Sequence, residues 1–167
     1  MSYQLNQQKM EAYRSDMLSS VKFKLGLFAS VPMAFMAGCR VQELDEKRCV
    51  TTIPYKWMNN NPFKTTYWAV LGMAAEMAPG ALLLMYTYQS KPSISTYVTA
   101  CEAKFVKRAL TKVTFVCEEG EQFKDAVMQA VETGKAQSLV TTVKGYDTEG
   151  QVVNEWLFTW GIKARKG

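Results

Sequence analysis

The sequence predicts an α+β fold in which a curved antiparallel sheet wraps around one long apolar helix. Three observations predict it. The run from Trp68 to Met85 (WAVLGMAAEMAPGALLLM) is eighteen residues long and apolar almost all round, so a helix built from it must be covered on most faces. Strand-like segments before and after it come in pairs joined by short turns, which implies antiparallel pairing. A chain of 167 residues, 48 % apolar and 21 % charged, is large enough to bury a core of its own. The expected domain covers residues 1–167, with residues 1–37 as an N-terminal helical extension.

Leu5, Met10, Met17, Leu18 and Val21 recur at helical spacing and predict an amphipathic first helix. Residues 25–38 (LGLFASVPMAFMAG) are apolar but too short to span a bilayer, and Pro32 interrupts them. They predict a short helix and turn on the core or over a pocket mouth. Phe28, Met33, Phe35 and Met36 within them suit core, a dimer contact or an acyl-pocket lining. Residues 39–46 and 47–54 read as two strands, with Glu43 to Glu46 holding the turn. The Asn-rich stretch 55–64 (YKWMNNNPFK) reads as a loop.

Beyond the apolar run, residues 94–108 and 111–119 are rich in β-branched and aromatic side chains and predict strands. Residues 121–133 predict a helix with Phe123, Ala126, Val127, Ala130 and Val131 on one face and Gly134 at its end. Two strands close the chain, 135–147 and 151–164, joined by Asp147-Thr148-Glu149-Gly150. In the last, Asn154, Trp156, Phe158, Trp160 and Ile162 share a side, suited to packing on the sheet.

Composition excludes much chemistry. The chain has no histidine, which removes Ser-His-Asp and Cys-His nucleophiles, H-E-x-x-H zinc proteases and H-x-E deaminases. It holds no Walker loop, no G-x-G-x-x-G and no expected metal site. The charge of +5 is spread along the chain, unlike the dense cluster of a nucleic-acid binder. Cys39, Cys49, Cys101 and Cys117 form no C-x-x-C pair and read as reduced, buried residues of a cytoplasmic protein. The polar first residues do not form a signal peptide.

Glu76 is the only ionisable residue between Trp68 and Met85. A buried carboxylate is costly unless it is paired, protonated or used. It also argues against a membrane span, since a charge near the bilayer centre costs roughly 3 kcal/mol. Pro79 leaves the Ala75 carbonyl without its helical donor. The helix should loosen beside Glu76, or else end at Pro79. Desolvation by the surrounding Met, Ala and Leu should raise the Glu76 pKa and make it a better base.

The segment Asn61-Pro-Phe-Lys-Thr65-Thr-Tyr67-Trp-Ala69, with Glu76 seven residues on, resembles the loop and helix start of the hotdog-fold acyl-CoA thioesterases. Within that superfamily the chain is most similar to an uncharacterised branch related to the phenylacetate-pathway thioesterases. Residues 103–109 (AKFVKRA) are similar to the family's strand end. The resemblance runs from about Phe28 to Arg165. It implies a sheet wrapped around a central "sausage" helix and an acyl-CoA substrate, with no bound cofactor. It further implies a catalytic Glu76 acting as general base or nucleophile, assisted by Asn61. Thr65, Thr66 and Tyr67 would lie near the oxyanion, where the helix start of a facing subunit polarises the carbonyl, and Lys107 and Arg108 near the phosphates. Thioester hydrolysis needs an activated water and oxyanion stabilisation but no strong acid, which one carboxylate and helix-start amides can supply.

The chain departs from the family at Pro62, where a His often stands, and at Lys64 and Ala69, where Gly is frequent. The resemblance implies a dimer or dimer of dimers, because the fold leaves sheet edges open. Asn61 also reads as a turn or capping residue, and Lys107 and Arg108 as a solvated strand end. A non-catalytic acyl-chain or acyl-CoA binding protein on the same fold is the alternative. Dehydratases of this fold generally rely on a histidine that this chain lacks.

Overall fold

The computed structural model describes residues 5–165; the outermost residues of the expected 1–167 domain and of its 1–37 extension lie outside this range. Three helices come first: α1 (Gln7–Leu18), α2 (Ser20–Ser30) and α3 (Pro32–Ala37). Asn6 caps α1 by accepting from the Lys9 amide at 3.1 Å. The amphipathic helix expected through Val21 is broken at Ser19, whose extended backbone ends α1 and whose hydroxyl caps α2. The apolar register breaks with it. Met10 and Tyr13 are buried, whereas Leu18 and Val21 face outward. Pro32 stands at the first turn of α3, where its missing N–H costs nothing, and Gly38 ends α3 in the left-handed region at φ 85°.

Strands β1 (Arg40–Leu44) and β2 (Cys49–Ile53) form a hairpin. Asp45 organises its turn, accepting from the amides of Lys47 at 2.7 Å and Arg48 at 2.8 Å. A single 3-10 turn, Trp57–Asn59, leads into α4 (Trp68–Thr87). Then follow β3 (Ile94–Phe105), β4 (Val113–Cys117), α5 (Gly120–Thr133), β5 (Gln137–Tyr146) and β6 (Val152–Ala164). Gly134 terminates α5 at φ 65°. At the last hairpin, Asp147 accepts from the Glu149 and Gln151 amides.

The six strands form one antiparallel sheet in the order β1-β2-β4-β5-β6-β3. It curves around α4, which also packs on α5. Asn154, Trp156, Phe158, Trp160 and Ile162 of β6 all point inward and are buried. Such a sheet wrapped around a central helix is the hotdog fold. The two sheet edges differ: α1 packs beside β1, while β3 pairs only with β6 and leaves its other side open along twelve residues.

Two further corrections concern the burial of Cys101 and, among the places open to Phe28, Met33, Phe35 and Met36, the core. Cys101 is exposed, because it lies on the outer face of the edge strand; Cys39, Cys49 and Cys117 are buried and free. Phe28, Met33, Phe35 and Met36 do not join the core. The inward positions beside them are taken by Phe23, Leu27, Ala34 and Ala37 instead.

Candidate active site

α4 is long and apolar enough to cross a membrane by length and composition, but it is the core helix of this sheet. It continues as α-helix through Pro79 to Thr87. Thr51 of β2, fully buried, donates its hydroxyl to the Ala74 carbonyl at 2.6 Å, one residue from the carbonyl that Pro79 deprives of a donor.

Glu76 lies on the one stripe of α4 that the sheet leaves half-open, with Val70, Met73, Met77 and Gly80. One turn to either side the helix carries glycine. A Cβ on Gly72 would sit 3.3 Å from the Trp156 ring. On Gly80 it would sit 3.5 Å from both Glu76 Oε1 and Trp160 Cη2. The glycines let two indole rings lie close to the helix beside the carboxylate. Burial pushes the Glu76 pKa above the usual glutamate range, and no neighbouring charge or donor among the described residues offsets it.

The loop before α4 is built by asparagines. Asn59, buried, donates to the carbonyls of Ala37 at 2.9 Å and Pro54 at 2.8 Å, tying the loop to the end of α3. Asn61 Oδ1 accepts from the amides of Phe63 at 3.0 Å and Thr65 at 3.2 Å, and its Nδ2 donates to Thr65 Oγ1 at 3.0 Å. This Asx turn places Lys64 at φ 58°. A lysine therefore holds the left-handed conformation that a glycine would adopt freely.

Tyr67 precedes α4 without a side-chain cap, so the Trp68 and Ala69 amides at the helix start have neither a side-chain nor an intrahelical partner. Thr66 is only 3 % exposed, and its hydroxyl is buried without a partner. Trp68 and Thr66 line a cavity of about 340 Å³ together with Asn61, Thr65, Arg108 and Lys107, with Leu71 and Phe105 as apolar walls.

The structure thus gathers Asn61, Thr65, Thr66, Lys107 and Arg108 at one cavity. It does not bring Glu76 or Tyr67 into that lining. Glu76 stands eight residues beyond Trp68, about 12 Å along the helix. The two cations also differ. Lys107 donates to Asp147 at 2.9 Å and to Gln151 at 2.7 Å, so its charge is already balanced. Arg108 donates only to the neutral Phe63 carbonyl at 2.9 Å, among the described residues. Asp147 escaped the sequence reading as a partner of Lys107, since forty residues separate them; only its turn signal was visible. No three of Cys, Asp and Glu gather into a metal-binding set among the described residues.

Solved structures share this architecture. A Pseudomonas aeruginosa protein of unknown function, described as a probable thioesterase, superposes with a TM-score of 0.74 at 18 % identity, covering 90 % of this chain and 99 % of that one. A thioesterase from Haemophilus influenzae gives 0.61 at 14 % identity over 84 % and 88 % of the two chains. The PaaI protein of the E. coli phenylacetic acid degradation operon gives 0.64 at 13 % identity over 96 % and 95 %. Identities this low establish the fold alone. A comparison with curated proteins finds no match. The model of the family described as Domain of unknown function (DUF4442) matches residues 20–162, so the chain belongs to that family and carries it on a hotdog fold.

Proposed function

We propose that the protein is an acyl-CoA thioesterase in which Glu76 acts as general base on water or as nucleophile. The observation that carries this reading is an unpaired carboxylate on the half-open stripe of the central helix, with its pKa raised by burial. A carboxylate so placed takes a proton from water more readily than an exposed one. Similar folds include proteins described as thioesterases. The open amides at the start of α4 supply the oxyanion donors, with Thr66 beside them. Thr65 and Tyr67 flank that position. Asn61 acts by setting the loop, since its oxygen and amide are both engaged in the turn. Arg108 meets the phosphates of the substrate, with Lys107 in support.

The 12 Å between Glu76 and the helix start is too far for one chain to join them at one thioester. Two copies, paired along the open β3 edge and related by a two-fold axis, would set the Glu76 stripe of one against the helix start of the other. The site is therefore shared, and the working form is a dimer or a dimer of dimers. The protein works in the cytoplasm, where acyl-CoA substrates are met.

An acyl-CoA hydrolysis panel on wild type and Glu76→Ala tests the proposal. Turnover by wild type that collapses in the variant, with the fold intact, is the expected result. An inert wild type across the panel, or a monomer by light scattering, would overturn it. The occupied Asn61 favours one second reading, a non-catalytic acyl-chain or acyl-CoA binding protein. Co-purified ligand with no multiple turnover would select it.

A further inference from the structure

A contiguous apolar surface lies on α2 and α3, outside the lining of the candidate cavity. At 100° per residue, Val21, Leu25 and Phe28 form one stripe along α2. Val21 is 65 % exposed, and Leu25 and Phe28 are each 64 % exposed. Lys24 and Lys22 flank the stripe on its two sides, while Phe23 and Leu27 on the opposite side are buried. The Phe28 and Phe35 rings meet edge to face at 5.4 Å, so α3 extends the same surface through Met33, Phe35 and Met36. α2 rests chiefly on α1 and α3.

An apolar patch of this extent marks an interaction site. Its charge pattern decides the partner. From Met17 to Gln42 the sequence contains no Asp or Glu, and its charges are Lys22, Lys24 and Arg40. Lys22 pairs with Asp16 at 2.6 Å, and Lys24 makes no ion pair among the described residues. Lys24 is thus the unbalanced cation at the margin of the stripe, and a second copy docking isologously would bring it no acid from the stripe itself. An anionic lipid surface has what the stripe lacks: acyl chains for the apolar side chains, and a phosphate for Lys24 at its margin.

We propose that α2 and α3 form a lysine-flanked apolar face that docks on an anionic lipid surface without crossing it. The face is independent of the thioesterase reading. Docking would seat the protein at the interface, with the sheet and α4 held above the lipid.

Vesicle flotation tests it, using phosphatidylcholine vesicles and equal mixtures of phosphatidylcholine and phosphatidylglycerol. Wild type should float with the mixed vesicles and much less with the neutral ones, and raised salt should weaken the difference. Lys24→Gln should lower the partition about fivefold. Phe28→Ser should lower it on the order of tenfold. Both positions are exposed, and thermal melting checks that the fold survives. No flotation of wild type, or equal flotation with both vesicles, would overturn the proposal. So would a Phe28→Ser variant that floats normally but changes its oligomeric state, which would make the face a contact between copies.

Discussion

Glu76 and Trp160 both approach Gly80: the Cβ position of that glycine lies 3.5 Å from both the carboxylate oxygen and the indole edge. Burial takes hydration from the carboxylate, and no donor among the described residues replaces it. Its protonated form is the one the fold prefers.

Glu76→Gln should therefore separate function from stability. Under the proposed mechanism it lowers kcat/KM by about a hundredfold or more. The folded-state pKa is raised above the ordinary 4.5, so wild type loses stability as pH rises from that value through the folded pKa. At neutral pH the glutamine variant should be the more stable protein, and below 4.5 the difference should vanish. Denaturant midpoints at acid and neutral pH check it. The wild-type rate should rise with pH through the same raised pKa.

The loop at Asn61 and Lys64 makes a second test. Asn61→Ala removes the acceptor for two amides and should cost about 1–2 kcal/mol, while Asn61→Asp keeps that acceptor and should recover most of it. Lys64→Gly relieves a left-handed lysine and should stabilise by up to about 1 kcal/mol, whereas Lys64→Val should destabilise. Thermal melts of the four variants would order them.

Arg108 and Lys107 should not behave alike. Removing Arg108 takes away a cation that no carboxylate balances, so Arg108→Ala should raise KM for CoA thioesters about tenfold. Lys107→Ala should raise it less, because its charge is already engaged with Asp147. Neither should affect a short thioester that lacks phosphates. Equal effects on both substrates would show that the residues act through the loop rather than on phosphate.

Gly120→Ala should be among the most damaging small changes. A Cβ there would strike the Glu46 carbonyl oxygen and come within 2.7 Å of the Lys47 carbonyl. The start of α5 would have to move off the β1–β2 turn, at a cost of about 2 kcal/mol. Chemical denaturation measures it.

The thiols should sort by place. Cys101 alone is exposed and should react with a thiol reagent in the native protein. Burial holds the Cys39 thiol up at about 12, and it pushes Cys49 and Cys117 up as well. Those three should react only on unfolding. Slower labelling of Cys101 as the protein associates would place it near the β3 contact.

Much of the fold was legible because its signals are local. Period-two alternation in residues 151–164 placed the inward row from Asn154 to Ile162, and Gly134 ended α5 where a left-handed residue was needed. The N-terminal helices were read less well. Ser19 resets the helical register, so apolar spacing carried across it assigned Val21 to the wrong face, while Leu18 faces outward at the end of α1. At the site, the loop cluster around Asn61 was visible as turn chemistry. The pairing of Lys107 with Asp147 was not, because it depends on how two hairpins fold together. The outer placement of Cys101 depends likewise on which strand ends the sheet.

The uniformly apolar α4 has a consequence for the chain as it is made. Only β1 and β2 precede α4; the four strands that complete its cover, β3 to β6, all follow it. A nascent chain that has reached Thr87 thus displays a segment with the length and hydropathy of a membrane anchor. Glu76, near its middle, makes lateral partition into a bilayer unfavourable during that interval. The same carboxylate that is a burden in the finished core can keep the unfinished one out of the membrane.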